Sequence, residues 1–200
     1  MTLSELLLGL GEDKDMSYHS QFGEDAWIEK YLNFPVGTFC EVGAFDGVNG
    51  SNTKHFEELG WKGICIEPVP GNAAKCMENR SAVTWCCAVG NASYKPFYLG
   101  SDQGAGGLEC SGPKVFPVCV CPLSSLVLAS GFKQIDLLSI DTEGTELEVW
   151  NTRGPLEPKI VIMEYLTWGK PPRDLDIYRV MAADGYTQVH RTEANLIFTK

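Results

Sequence analysis

Short continuous apolar runs alternate along the chain with stretches in which apolar residues recur every three or four positions. The runs, bounded by turn signals, read as strands buried on both faces of a parallel sheet; the three-to-four spacing reads as helix. Residues 2–10 and 26–32 have helical spacing, so 1–33 is expected to be an N-terminal helical segment. The first strand starts at Thr38 and passes through Glu41 and Val42 into Gly43, Ala44, Phe45, Asp46 and Gly47. Ser51-Asn52-Thr53 then opens a helix through Leu59, with Ser51 as its N-cap. Gly60-Trp61-Lys62-Gly63 turns into a second buried strand, 64–68, which ends on Glu67 and is stopped by Pro68. A helix over 72–80 and a third strand over 83–89 follow.

From 90 to 122 the alternation lapses into a Gly-rich insertion, in which 97–99 and 115–120 are suited to pair and 104–107 reads as a flexible loop. Such a loop beside a pocket can close over substrate or serve only as surface. A helix over 123–129 stopped by Gly131, a strand over 135–141 and a helix over 145–151 restore the alternation. A strand over 159–164, an amphipathic helix over 174–183 and a hairpin of 186–190 with 195–199 complete it. This order predicts an α/β fold: a doubly wound, mostly parallel sheet with one antiparallel strand, forming a single domain over 1–200.

Charge and cysteine usage narrow the setting. A formal net charge of -10 and a pI near 4.7 argue against nucleic acid as the main partner, since a phosphate backbone needs clustered Lys and Arg. Leu6-Leu7-Leu8-Gly9-Leu10 is preceded by no basic residue and followed by Glu12, Asp13 and Asp15. That is neither a signal peptide nor a span of about 20 apolar residues, so a soluble cytoplasmic protein with no membrane partner is expected. The eight cysteines, at 40, 65, 76, 86, 87, 110, 119 and 121, include no C-x-x-C and no zinc spacing. All are expected to be reduced, with Cys119 and Cys121 sharing one strand face.

The strand, glycine turn and helix start at 38–59 form the front edge of a nucleotide-type pocket. A dinucleotide fingerprint needs a glycine where Phe45 stands, and a diphosphate disfavours the flanking carboxylates of Glu41 and Asp46. A ligand with an amino group and ribose hydroxyls but no phosphate suits them; S-adenosylmethionine is one. Glu67, 24 residues after Gly43, stands where the second strand of a βαβ unit delivers an acid to ribose hydroxyls. Either feature alone also fits an ordinary strand end in another α/β protein; together they favour the pocket.

Candidate chemistry lies at the later strand ends. Asp141 ends the fourth strand, Glu143 follows in its turn and Glu164 ends the fifth. One carboxylate can act as general base for an alcohol, its pKa raised by the others, or Asp141, Glu143 and Glu164 can hold Mg²⁺. Glu143 and Glu146 also suit a helix N-terminus, which is the simpler reading for Glu146. His19 is a lesser candidate, able to fold over the site with Gln21.

Six blocks, taken in order, resemble the FkbM family of methyltransferases: 20–25, 41–47, Ser51-Asn52-Thr53, 60–63, Ile66-Glu67-Pro68 and 136–146. The resemblance runs from about residue 18 to the end. It implies a seven-stranded class I methyltransferase fold, S-adenosylmethionine as cofactor, and O-methylation of a hydroxyl on a sugar or natural-product-like small molecule. It places Gln21 and Glu24 near the cofactor end of the pocket, and Glu41, Gly43 and Asp46 around the methionine part. Glu67 falls at the ribose and Ala88 at the adenine, with Ala44, Asn52 and Pro68 in the same motif stretches. The compact length and the Cys86-Cys87 pair depart from the pattern without removing a motif residue. Two other classes remain open: a non-catalytic binding module on the same fold, and a nicotinamide oxidoreductase, which Phe45 disfavours. The oligomeric state is not legible.

Overall fold

The computed structural model describes residues 17–31, 35–100, 106–108, 112–166 and 171–200. The helix expected over 2–10 lies outside them, as do Cys110 and Gly104-Ala105. Helix α1 (Glu24–Tyr31) leads into β1 (Thr38–Val42), α2 (Lys54–Glu58), β2 (Lys62–Ile66), α3 (Pro70–Asn79) and β3 (Val83–Trp85). The insertion contributes β4 (Ala88–Val89), β5 (Ser93–Leu99), β6 (Gly106–Gly107) and β7 (Lys114–Cys121). Then come α4 (Leu123–Ala129), β8 (Leu137–Ile140), α5 (Glu146–Asn151), β9 (Ile160–Glu164), α6 (Asp174–Ala183), β10 (Thr187–Arg191) and β11 (Asn195–Thr199).

Seven strands form one sheet in the order β10-β11-β9-β8-β1-β2-β3. The neighbours from β3 through β9 pair in parallel, and β11 runs antiparallel to both β9 and β10. The apolar runs lack a polar face because both sides are covered. Cys40, Val42, Leu138, Ile140, Val161 and Met163 face one layer, around Trp150; Phe39, Leu137, Ile160 and Ile162 face the other, with Ile28, Phe56 and Trp61. The chain order reverses between β1 and β8, so the crevice that binds ligands in open α/β sheets opens beyond their carboxyl ends.

The expected third strand is in fact two. After Trp85 the chain leaves the edge of β2, Cys86 is exposed, and Ala88-Val89 pairs instead with Val120-Cys121 of β7. Propensity is high throughout 83–89, so nothing local marked the crossover. The insertion pairs as its composition suggested: β5 and β7 align antiparallel over Ser93–Leu99. Gly106-Gly107, expected in a loop, adds a short strand against Tyr98-Leu99. Helix α3 begins two residues early because Pro70 supplies a preset φ at its first turn. Helix α2 begins at Lys54 with Thr53, not Ser51, at its N-cap and no side-chain capping bond there. Ser51 Oγ instead folds the preceding turn, accepting the Thr53 N–H at 3.3 Å and the Lys54 N–H at 3.0 Å. The described cysteines all carry free thiols. Among the described residues no helix is long and apolar enough to cross a membrane.

Candidate active site

A cavity of about 650 Å³ opens at the carboxyl ends of β1, β2, β8 and β9. Gly43, Glu67 and Asp141 lie along its strand-end side, and Ala88, Phe97 and Leu108 of the insertion wall another. Gln21 and Phe22 reach it from the N-terminal segment, Glu193 and Ala194 from the β10–β11 turn.

Gly43 is required twice over. Its φ is +87°, and a Cβ there would stand 1.8 Å from the Asp141 carbonyl oxygen, so the β1 turn closes directly onto the end of β8. Phe45 takes φ +48° without being glycine, a conformation that costs on the order of 1–2 kcal/mol. That turn aims its N–H at Glu67 Oε2, 3.0 Å away. Glu67 Oε1 accepts the Val69 N–H at 2.8 Å, and the Asn72 side chain adds a third bond. Burial nevertheless dominates: it pushes the Glu67 carboxyl up to about 7 against these three donors, with help from the charge of Asp141.

Glu41 does not face the cavity. It accepts from Ser51 Oγ at 2.8 Å, Thr53 Oγ1 at 2.7 Å, the Asn52 N–H at 2.8 Å and Arg80 Nη1 at 3.1 Å. Arg80, buried, also donates to Glu57 Oε2 at 2.7 Å and to the Gly47 carbonyl at 3.0 Å. The Glu41–Arg80–Glu57 network therefore fixes the loop between β1 and α2 from behind. Asp46 folds the same loop, accepting the N–H groups of Val48 and Asn49 at 3.0 and 2.9 Å. Asn52 donates to Ser139 Oγ at 3.0 Å, and Ala44 packs in the core. Of the residues expected to bind cofactor, Gln21, Gly43, Glu67, Pro68 and Ala88 line the cavity; Glu41, Ala44, Asp46 and Asn52 shape the loop beside it. Glu24 sits behind the wall, and His19 pairs with Glu58 at 3.2 Å, away from the cavity. Neither Arg80 nor the role of the Phe45 backbone was legible in the sequence. A lone arginine after a helix carries no local signal of either partner.

Asp141, Glu143 and Glu164 do converge, with carboxylate oxygens within 4.8 Å of one another. Asp141 is exposed where it borders the cavity, and it shares a hydrogen bond with Glu164. Loss of water first, then the neighbouring carboxylates, pushes both carboxyls upward, Glu164 the further. Like charges this close cannot both ionise, so near neutrality the pair holds a proton. Among the described residues Glu164 Oε2 is buried with no hydrogen-bond partner. Glu143 adopts φ +57°, in a turn held by Glu146. Glu146 Oε1 accepts the Gly144 N–H at 2.8 Å and Thr142 Oγ1 at 3.1 Å, while Arg173 binds its Oε2 at 3.0 Å and the Gly144 carbonyl. Glu146 thus shapes the turn that carries Glu143, in keeping with its structural reading.

Five carboxylates line the cavity, and among its described lining residues there is no Lys, Arg or His. Such a wall accepts a sulfonium and an ammonium and repels a diphosphate. These residues therefore fit S-adenosylmethionine, with Glu67 set to take hydroxyl donors.

A seven-stranded sheet of this order, one strand reversed and the cavity at the switch point, is the class I methyltransferase fold. The chain belongs to the FkbM family of methyltransferases: the profile of the methyltransferase FkbM domain matches residues 41–187, well over half of it. Membership implies S-adenosylmethionine as methyl donor. Among solved structures, a protein assigned as a caffeoyl-CoA O-methyltransferase from Staphylococcus aureus aligns with TM-score 0.54 at 11% identity, covering 100% of this chain and 93% of that one. Precorrin-6y C5,15-methyltransferase from Geobacter metallireducens aligns at 0.51 and 10% identity, covering 95% and 98%. A protein assigned as an RNA methyltransferase from Pyrococcus horikoshii aligns at 0.50 and 13%, covering 99% and 97%. At these identities the likeness concerns the fold, and the acceptors differ. No curated protein matches the sequence.

Proposed function

We propose that this methyltransferase acts on a hydroxyl oxygen of a neutral or cationic small molecule, such as a sugar or a natural-product-like scaffold. The observation that carries the reading is the convergence of the Asp141 and Glu164 carboxyls, with oxygens within 4.8 Å, at the strand-end side of a carboxylate-lined cavity. Glu67 holds the ribose hydroxyls, Pro68 and Ala88 flank the adenine, and Gly43 and Gln21 border the methionine end. Bound there, S-adenosylmethionine supplies a methyl group on a sulfonium, a good leaving group. Asp141 takes the hydroxyl proton as the oxygen attacks. With the methyl donor bound, the proton that Asp141 takes from the acceptor hydroxyl would be held on the Asp141–Glu164 carboxyl pair. The insertion and Phe22 restrict water around the reacting atoms.

A second reading is favoured by the oxygen set of Asp141, Glu143 and Glu164 and by the orphaned Glu164 Oε2. It suits Mg²⁺, which lowers the pKa of a bound hydroxyl. Both readings are tested by following S-adenosylhomocysteine release over a panel of neutral, amino and phosphorylated sugars and hydroxylated scaffolds, with and without chelator. Turnover is expected with neutral or amine-bearing acceptors. Loss to chelator with recovery by Mg²⁺ selects the metal reading. Turnover confined to phosphorylated acceptors contradicts the proposal.

The Glu67 carboxyl sets a pH dependence. Ribose hydroxyls donate, so the ligand favours the ionised carboxylate. Affinity should therefore rise as pH increases through about 7, level off above it, and be accompanied by proton release. Calorimetry in buffers of different ionisation enthalpy measures that release. Glu67→Gln should remove this component; an unchanged pH profile in that variant would assign the titration to another group.

A further inference from the structure

Glu24 is buried, begins α1 and touches no part of the cavity, yet its two oxygens join two segments that do. Oε2 accepts the Phe22 N–H at 3.0 Å. Oε1 accepts Thr192 Oγ1 at 2.7 Å and Asn195 Nδ2 at 2.8 Å, across a sequence gap of 168 and 171 residues. Phe22, with Gln21, borders the cavity, and so do Glu193 and Ala194, which lie between the two hairpin partners. A second tie runs parallel to this one, where Trp27 of α1 stacks on His190 of β10 at 4.4 Å and 5°.

We infer that Glu24 is a positioning residue, a clasp whose carboxylate sets the separation of the Gln21–Phe22 and Glu193–Ala194 walls, and so the shape of the methyl-donor cavity, without contacting any ligand. The chemistry supports this. A carboxylate removed from water costs several kcal/mol, and here the three bonds given above come from neutral donors, so apolar residues would join the segments with less desolvation. What the carboxylate adds is direction. Its two oxygens fix both walls at hydrogen-bond distance in a definite relative orientation. The Thr192 hydroxyl is itself oriented, accepting the Asn195 N–H at 3.1 Å while donating to Glu24. Asp25, next to it, acts on one segment alone, accepting from His19 N–H at 2.7 Å and Ser20 Oγ at 2.5 Å. The two adjacent acids thus have separate roles, Asp25 folding the segment and Glu24 tying it to the hairpin.

The inference rests on S-adenosylmethionine occupying this cavity, and one set of titrations separates the two claims. S-adenosylmethionine and S-adenosylhomocysteine are titrated calorimetrically into the parent, Glu24→Ala, Glu24→Gln and Thr192→Val, with melting temperatures in parallel. Glu24→Ala should bind about tenfold or more weakly, and Thr192→Val several-fold more weakly, each losing part of the clasp. Glu24→Gln should fall between the parent and Glu24→Ala, because its amide oxygen still accepts from Thr192 and Asn195 while its NH2 cannot accept the Phe22 N–H. The double variant Glu24→Ala/Thr192→Val should bind no worse than Glu24→Ala. If Glu24→Ala does not fold, Thr192→Val and Glu24→Gln carry the test. Parent-like affinity in both Glu24→Ala and Thr192→Val, whatever their melting temperatures, overturns the clasp. Loss in Glu24→Ala and Glu24→Gln alike, with Thr192→Val unaffected, also overturns it by making Glu24 a direct ligand contact. A parent that binds neither compound removes the cofactor reading itself.

Discussion

Asp141→Asn should lower the methyl-transfer rate by roughly 10²–10⁴-fold while leaving S-adenosylmethionine affinity within a few-fold. The substitution is nearly isosteric, and the Asp141 backbone bond to β1, its N–H donating to the Val42 carbonyl at 3.0 Å, is untouched. What is lost is the carboxylate that shares a proton with Glu164 and opens to the cavity. An amide can neither take the acceptor proton at neutral pH nor serve as an anionic metal ligand. Single-turnover measurements give the rate and calorimetry the affinity. An active Asp141→Asn variant would move attention to Glu164 and leave positioning as the source of rate.

The second large effect concerns binding. Glu67→Ala should weaken S-adenosylmethionine by about 10- to 150-fold, the loss of a charge-assisted hydrogen bond worth about 1.5–3 kcal/mol. Part of that loss is indirect, because the Phe45 and Val69 N–H groups lose their acceptor and the strained Phe45 turn loses what holds it. Glu67→Gln separates the contributions: it keeps the volume and one acceptor, and should fall between the parent and Glu67→Ala.

What was legible in the sequence follows from where the physics is local. The strands show as apolar runs because both faces of the sheet are covered, and Glu67 and Asp141 show because they stand where such runs stop. Asp141, Glu143 and Glu164 were expected together and lie together, since strand order alone brings β8 and β9 side by side. The residues read less well are those whose partners are distant in sequence. Glu41 resembles a ligand contact until Arg80 and Ser51 are seen to occupy it. Glu24 fits a cofactor contact until Thr192 and Asn195 are found across the fold. The split of the third strand depends on β7 competing with β2 for residues 83–89, and no local propensity reports that contest.

Both the chemistry and the clasp depend on a cavity that accepts a cationic, phosphate-free nucleoside. Titrating the parent protein calorimetrically with S-adenosylmethionine and, separately, with NAD⁺ tests this most directly. Saturable one-to-one binding of S-adenosylmethionine and none of NAD⁺ is the result expected from a carboxylate-lined wall with Phe45 in the turn. Binding of NAD⁺ with no response to S-adenosylmethionine would contradict it.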